Sequence, residues 1–217
     1  MILCDIGNTN AHIFKDGEFK IESLERFLVT EFSGDVHYIC VNDSLRASLK
    51  VRNNFIDLEE FVGFDTPYKG MGIDRICACK SIREGVVVDA GSAITVDIMS
   101  GGKHQGGFIL PGLRAYKEAY RSISLRLNLE INREVLLDVL PENTKDAISF
   151  GVLKSLILTI QHSAEGKDIY FTGGDGEYLS GFFKNAVYDK MLIFKTLQDT
   201  FNTLINKKEK YADSCTS

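Results

Sequence analysis

Asp5-Ile6-Gly7-Asn8-Thr9-Asn10 lies near the start of the chain, between two short apolar runs at residues 1–4 and 11–14. Two β-type runs joined through Gly and Asn predict an antiparallel hairpin with a tight turn. Such a turn can hold a phosphate with its backbone N–H groups and hydroxyl, while the aspartate faces a metal ion or its water shell. A D-x-G-N sequence also suits an ordinary hairpin turn, so this stretch alone leaves both interpretations open.

The same plan recurs at residues 86–97, where an apolar run leads into Asp89-Ala90-Gly91-Ser92 and a second apolar run follows. The aligned pairs are Asp5 with Asp89, Gly7 with Gly91, and Asn8 with Ser92. Two phosphate-type hairpins in one chain predict a duplicated unit, with a cleft between the halves and one loop on each side. Chance similarity between two turns is the alternative.

The order of predicted elements indicates the α/β class. Two successive hairpins, a buried strand, a helix and a further strand are predicted over residues 1–58, and β-β-β-α-β is typical of a ribonuclease-H-like unit. With the repeat, this order predicts two such halves with mixed sheets, residues 1–84 and 85–217. Residues 191–194 form a last apolar run, which predicts a strand, and a closing helix is expected from Leu197 to about Lys208.

A glycine-containing loop at residues 65–72 precedes a helix predicted from Ile73 to Glu84. Asp74 and Arg75 then lie in the first helical turn. The helix dipole favours an aspartate there but repels a cation, so the dipole leaves Arg75 unexplained. An arginine beside an aspartate at this place suggests an anion-binding group next to a general base.

Charge and composition limit the functional classes. The net charge is −5 and the pI is about 5.4, which is unlike the basic footprint of a nucleic-acid-binding protein. The longest apolar runs are far shorter than a membrane span. Five cysteines, an odd number, with no preceding signal segment fit a reducing cytoplasm.

Glycines mark two further connections. One is the dense segment at residues 101–112, and the other is Thr172-Gly173-Gly174-Asp175, between a predicted strand and a helix. The second matches neither a dinucleotide fingerprint nor a Walker A loop, which argues against an oxidoreductase of the dinucleotide-binding type. A long apolar-faced helix, capped by Asn143 or Thr144, packs either in the core or against a second copy.

Four blocks of this sequence, in order and spanning most of the chain, resemble the type III pantothenate kinases. They are Asp5-Ile6-Gly7-Asn8-Thr9-Asn10; Gly72-Ile73-Asp74-Arg75; residues 89–97 followed by 106–112; and Thr172-Gly173-Gly174-Asp175. The resemblance implies the actin-like ATPase fold, with an ATP cleft between two ribonuclease-H-like halves. It also implies ATP-dependent phosphorylation of pantothenate, the first step of coenzyme A biosynthesis, by a homodimer that uses Mg²⁺ and a monovalent cation, K⁺ or NH₄⁺.

The resemblance also implies roles for single residues. Asp74 is the general base, Asp89 binds the monovalent cation, and Asp5 faces Mg²⁺, directly or through water. The residues implied in ATP binding are Asp5, Ile6, Gly7, Asn8, Thr9, Asn10, Ala11, His12 and Ser92. Those implied in pantothenate binding are Tyr68, Gly72, Ile73, Asp74, Arg75 and Thr144. Ser92 stands where the family usually has Thr, and Tyr68 is spaced differently from the usual pattern.

Two alternatives keep the same fold. A different small-molecule kinase would carry both aspartate loops but has no reason to carry G-x-D-R. A non-catalytic regulator would tolerate loss of the base, yet Asp5, Asp74 and Arg75 are all present. The acidic pI also argues against direct contact with DNA.

Overall fold

The structure is a computed structural model, and it describes residues 1–214, with side chains through Lys207. The strands are β1 (Ile2–Ile6), β2 (Asn10–Lys15), β3 (Glu18–Ser23), β4 (Val36–Cys40), β5 (Phe55–Asp57), β6 (Gly85–Ala90), β7 (Ala93–Ser100), β8 (Lys103–Pro111), β9 (Ile169–Thr172) and β10 (Ala186–Tyr188). The helices are α1 (Leu24–Val29), α2 (Asp43–Lys50), α3 (Ile73–Lys80), α4 (Leu113–Ile123), α5 (Thr144–Ala164), α6 (Gly176–Ser180) and α7 (Leu192–Ser214). Short 3₁₀ turns occur at Glu59–Phe61 and Leu125–Leu127.

The chain forms two compact units. The first contains Met1–Ser81 together with the segment from Met191 through α7, and the second is Ile82–Lys190. This differs from the expected division at residue 84, because the C-terminal helix belongs to the first unit. Its attachment there is explicit: Thr196 Oγ1 donates to the Cys77 carbonyl at 2.8 Å, and Ser81 Oγ donates to the Leu192 carbonyl at 2.7 Å.

The first unit contains a mixed five-stranded sheet in the order β3-β2-β1-β4-β5. β1 pairs antiparallel with β2, with Asp5 opposite His12, and parallel with β4. Every residue of β1 is buried, as expected for a central strand covered on both faces. The predicted first hairpin is therefore confirmed.

The second unit repeats this sheet. Its order is β8-β7-β6-β9-β10, with β6 antiparallel to β7 and parallel to β9. Asp89 is the penultimate residue of β6, just as Asp5 is the penultimate residue of β1. The internal repeat read from the sequence is thus present as two sheets of equal strand number and equivalent strand order, and the α/β class is confirmed.

Each sheet has its own apolar core. In the second unit, α5 packs Val152, Leu153, Leu156 and Ile160 against β6, β7 and β9. Asn143 begins α5 by accepting a hydrogen bond from the Asp146 amide at 3.0 Å, which confirms one of the two predicted caps. Among residues 1–214, none of the helices has both the length and the apolar character required to cross a bilayer.

Candidate functional site

The β1–β2 loop is a tight turn whose backbone forms a fixed cradle. The Gly7 amide donates to the Asn10 carbonyl at 3.0 Å, and a Cβ at position 7 would stand 3.2 Å from the same oxygen. Asn8, Thr9 and Asn10 are exposed, whereas Ile6 and Ala11 are fully buried. Any contribution of Ile6 and Ala11 to a ligand is therefore through their backbone, while the three exposed residues can offer side-chain groups.

Asp5 is a buried carboxylate with one oxygen still available. Its Oδ2 lies 3.3 Å from His12 Nδ1, and only 5 % of the residue is exposed. Its Oδ1 is buried and has no hydrogen-bond partner among the described residues. A buried polar oxygen without a partner is costly, so this atom is well suited to a cation or to water bound to one.

Asp74 lies in the first turn of α3, and its carboxylate folds back over Gly72. Its Oδ1 accepts a hydrogen bond from the Arg75 amide at 2.7 Å. A Cβ at position 72 would stand 2.6 Å from the same Oδ1 and 3.8 Å from Cγ1 of Val41. Glycine at position 72 is therefore what allows the carboxylate to take this position.

The pKa of Asp74 is raised to about 6, mainly by burial and also by the negative charge of Asp5; hydrogen bonding from the Arg75 amide and the charge of Arg75 act in the opposite direction. A carboxyl group with a pKa near the working pH is suited to take up and release a proton.

Arg75 is 5 % exposed, and its guanidinium stands 4.6 Å from the centre of the Tyr68 ring. Tyr68 is half-buried, and its amide donates to Thr66 Oγ1 at 3.0 Å. A planar guanidinium stacked on an aromatic ring is held in orientation and can form two parallel hydrogen bonds to a carboxylate. The unusual spacing of Tyr68 thus still brings its ring to the predicted anion-binding arginine.

In the second unit, Asp89 is packed against the turn that follows β9. A Cβ at Gly173 would lie 2.4 Å from Asp89 Oδ1 and 2.6 Å from the Ala90 carbonyl oxygen. Gly173 has a φ of +83°, which also disfavours any other residue. The Asp175 amide donates to the Ala90 carbonyl at 2.9 Å. The backbone at residue 173 therefore packs directly against a carboxylate oxygen and a carbonyl oxygen, an approach that only glycine permits.

The remaining predicted site residues lie in the β6–β7 turn and at the starts of α3 and α5. Ser92 is exposed in the β6–β7 turn, where the Gly91 amide donates to the Ala93 carbonyl at 2.9 Å. Ile73 is buried at the start of α3, and Thr144 is exposed at the start of α5. The structure brings Asp5 to His12, Arg75 to Tyr68, and Asp89 to the turn at Gly173. Thr144 belongs to the second unit, and the other residues implied in pantothenate binding belong to the first.

One buried polar pair was missed by the sequence reasoning. His104 Nε2 lies 2.9 Å from Asp97 Oδ1, and both residues are at most 2 % exposed. A Cβ at Gly107 would stand 2.2 Å from the same Asp97 oxygen. This explains one glycine of the dense segment by packing, and no spacing rule would have paired the two side chains.

Comparison with known proteins agrees with these features. Residues 41–165 match the profile of a family described as type III pantothenate kinase. A type III pantothenate kinase from Campylobacter jejuni is 50 % identical over 198 residues, covering 91 % of this chain and 95 % of the relative. One from Wolinella succinogenes is 46 % identical over 205 residues, covering 94 % and 98 % of the two chains.

Solved structures give the fold. A Campylobacter jejuni structure named for the Baf family of transcriptional activators is 47 % identical, with a TM-score of 0.87, and covers 95 % of this chain and 100 % of that one. A Sinorhizobium meliloti structure named for 2-dehydro-3-deoxygalactonokinase has a TM-score of 0.54 at 9 % identity, with 94 % and 98 % of the chains covered, and is similar in fold alone. From the profile match and the relatives, the chain belongs to the type III pantothenate kinase family, which phosphorylates pantothenate in the first step of coenzyme A biosynthesis.

Proposed function

We propose that Asp74 is the general base that activates the primary hydroxyl of pantothenate for attack on the γ-phosphate of ATP. The observation that carries this assignment is the buried Asp74 carboxyl, with a pKa raised to about 6, beside the buried cation of Arg75. Phosphoryl transfer depends mainly on positioning and on charge neutralisation, with a carboxylate that accepts the hydroxyl proton.

Arg75 then pairs with the carboxylate of pantothenate. Its stacking on Tyr68 restricts the guanidinium to one plane, which favours a two-point contact with a carboxylate. Gly72 and Ile73 line the same pocket through their backbone, since Ile73 is buried and Gly72 has no side chain. Thr144, which is exposed, contributes its hydroxyl to pantothenate.

The loop from Asp5 to His12 binds the phosphates of ATP, and Ser92 contacts the nucleotide with its hydroxyl. The Asp5 carboxylate suits Mg²⁺ because its Oδ1 is buried without a partner among the described residues, and oxygen ligands are those that Mg²⁺ prefers. When bound, Mg²⁺ neutralises charge on the phosphates. His12 keeps the Asp5 carboxylate in place through the contact at Oδ2.

Asp89 binds the monovalent cation, K⁺ or NH₄⁺. The Asp89 carboxylate and the Ala90 carbonyl present two oxygens close together at the end of β6, and oxygen donors fit both ions. The charge of such a cation would balance the Asp89 carboxylate at the end of β6.

The reaction balances without any further reactant. The hydroxyl oxygen of pantothenate forms a bond to the γ-phosphorus while the bond from that phosphorus to the β–γ bridging oxygen breaks, and ADP leaves. Asp74 takes the hydroxyl proton and releases it to solvent when the products depart. Its pKa of about 6 allows both steps near neutral pH.

The active form is a homodimer in the cytoplasm. Five large apolar side chains between residues 123 and 140 are 60–81 % exposed, which favours a partner surface: Ile123, Leu125, Leu136, Val139 and Leu140. The four described cysteines are buried free thiols, as is usual in a reducing compartment. Light scattering of the purified chain, with Leu140→Glu as a disrupting variant, tests the dimer.

The decisive experiment is ADP release by the purified full chain with ATP, Mg²⁺ and K⁺, comparing pantothenate with a panel of sugars. Mass spectrometry of the product should find one added phosphate on pantothenate. Asp74→Asn should lower kcat by about a hundredfold or more while ATP still binds. Asp43→Asn is the matched control, because the Asp43 side chain is 96 % exposed. Equal rates for Asp74→Asn and the unmodified protein would contradict the base assignment.

A regulatory role is the second candidate, because one similar solved structure carries the name of a transcriptional activator family. A regulator has no use for a buried carboxyl with a raised pKa beside a buried arginine. Turnover that depends on pantothenate and on Asp74 would decide against a purely regulatory protein. Phosphorylation of a sugar in preference to pantothenate would instead indicate another kinase of the same fold.

A further inference from the structure

Arg133 is held from three directions, although it lies in an irregular segment. Its guanidinium pairs with the Asp175 carboxylate and stands 4.7 Å from the centre of the Tyr178 ring. The Tyr178 hydroxyl donates to the Arg133 carbonyl at 2.8 Å. The arginine side chain is nevertheless 51 % exposed. One face of the guanidinium is therefore covered by an aromatic ring, and part of the group stays open to solvent.

The segment that carries Arg133 is itself anchored to α5. The amide of Asn132 donates to Ser149 Oγ at 2.7 Å, and Asn132 Nδ2 donates to Asp146 Oδ1 at 2.7 Å. These contacts fix the backbone next to Arg133. The guanidinium is consequently set in place before any ligand binds, which lowers the entropy lost on binding.

The pair formed by Arg133 and Asp175 lies at the edge of the sheet where a nucleotide is expected. The Asp175 amide donates to the Ala90 carbonyl at the end of β6, and the preceding turn packs on Asp89. β6 and β9 are parallel, and ligands of open α/β sheets bind outside the carboxyl ends of such strands. A Cβ at Gly174 would meet no atom within 4 Å, so the space beside this turn is open.

We propose that Arg133 binds the purine base of the nucleotide by stacking the open face of its guanidinium on the ring. This deepens the proposed function, since it rests on ATP as the phosphate donor. Asp175 and Tyr178 are positioning residues that keep the guanidinium flat against the base. An exposed ion pair by itself adds little stability, so fold stability alone does not account for the three contacts. A purine offers more stacking area than a pyrimidine, so the arginine selects between the two.

The test is calorimetry of ADP and CDP binding to the full chain in the presence of Mg²⁺. Arg133→Ala should weaken ADP binding by about 5- to 50-fold and CDP binding by much less. Arg133→Lys should behave like Arg133→Ala, because lysine keeps the charge beside Asp175 but has no planar face. The matched control is Arg121→Ala, which removes another exposed arginine of the second unit that pairs with a glutamate.

Equal weakening of ADP and CDP by Arg133→Ala would overturn the proposal, and so would unchanged ADP binding. Full purine affinity in Arg133→Lys would also overturn it, and that variant decides the matter if the alanine variant does not fold. A parent protein that fails to bind ADP would refute the inference directly. A parent protein that binds ADP but leaves pantothenate unphosphorylated would refute the proposed function and leave this inference standing.

Discussion

Asp74 is held in its ionised form at a cost to the fold, and Asp74→Asn should remove that cost. The pKa of this carboxyl rises from 3.8 to about 6 because of burial and the charge of Asp5. Each unit of pKa difference corresponds to about 1.4 kcal/mol, so ionised Asp74 lowers the free energy of unfolding by about 3 kcal/mol. Asparagine is neutral and keeps the oxygen that accepts from the Arg75 amide.

The pH dependence has a definite sign. Between about pH 4 and pH 6 the folded protein keeps a proton on Asp74 that the unfolded chain has lost, so the free energy of unfolding falls as the pH rises. Above about pH 6 the full cost is present, and below about pH 4 it is absent. The variant should therefore be more stable than the parent near pH 8, and the difference should nearly disappear near pH 4.

The free energy of unfolding is measured by urea denaturation. Circular dichroism is the suitable signal, because the chain contains no tryptophan whose fluorescence could be followed. The thermal midpoint near pH 8 should rise by about 5–10 °C in Asp74→Asn. The matched control is Asp43→Asn, whose exposed side chain should change the free energy of unfolding by less than about 0.5 kcal/mol. If Asp74→Asn is no more stable than the parent at high pH, or equally stabilised at both pH values, the argument from burial is refuted.

Three further predictions concern Asp74, Gly72 and the turn at Gly173. The proposed general base must be ionised to act, so kcat/KM should fall below about pH 6 as Asp74 takes up one proton, and a flat profile would contradict this. Gly72→Ala should lower kcat at least tenfold with little loss of stability, since its Cβ displaces the carboxylate; a normal kcat would show that the position is not required. Gly173→Ala should lower the thermal midpoint by several degrees, whereas Gly174→Ala should not, because only the first has a positive φ and a crowded Cβ.

Local patterns predicted the parts of the fold that local forces decide. In each unit, the hairpin whose first strand carries the aspartate follows from turn residues between two apolar runs. The start of α5 follows from its asparagine cap. The run at residues 191–194 was predicted as a strand and begins α7 instead. Four apolar residues in a row are compatible with a buried strand or a buried helix. The helix is the form that allows Thr196 and Phe201 to pack against the rest of the first unit.

Contacts between segments that are far apart in the chain could not be predicted from the sequence. The sequence placed Asp74 and Arg75 in the first turn of a predicted helix. The stacking of Arg75 on Tyr68, by contrast, depends on the path of the loop that leads from Tyr68 to this helix. The strand β10 was missed because it has three residues and pairs only at the edge of its sheet. The raised pKa of Asp74 is caused mainly by burial of its carboxyl group, and a local sequence pattern does not predict that burial.

The repeated hairpins also show where specificity must come from. Both units supply an aspartate at the penultimate position of the central strand and a glycine two residues later, so the repeat provides two similar turns, each of which we propose as a ligand site. The parts that are not repeated differ in chemistry. In the first unit the chain after β5 leads to α3 with Asp74 and Arg75; in the second, a long segment between α4 and α5 carries Arg133. The acceptor and the base of the nucleotide should therefore be recognised by the unrepeated segments, and changes there should alter substrate choice without altering the sheets.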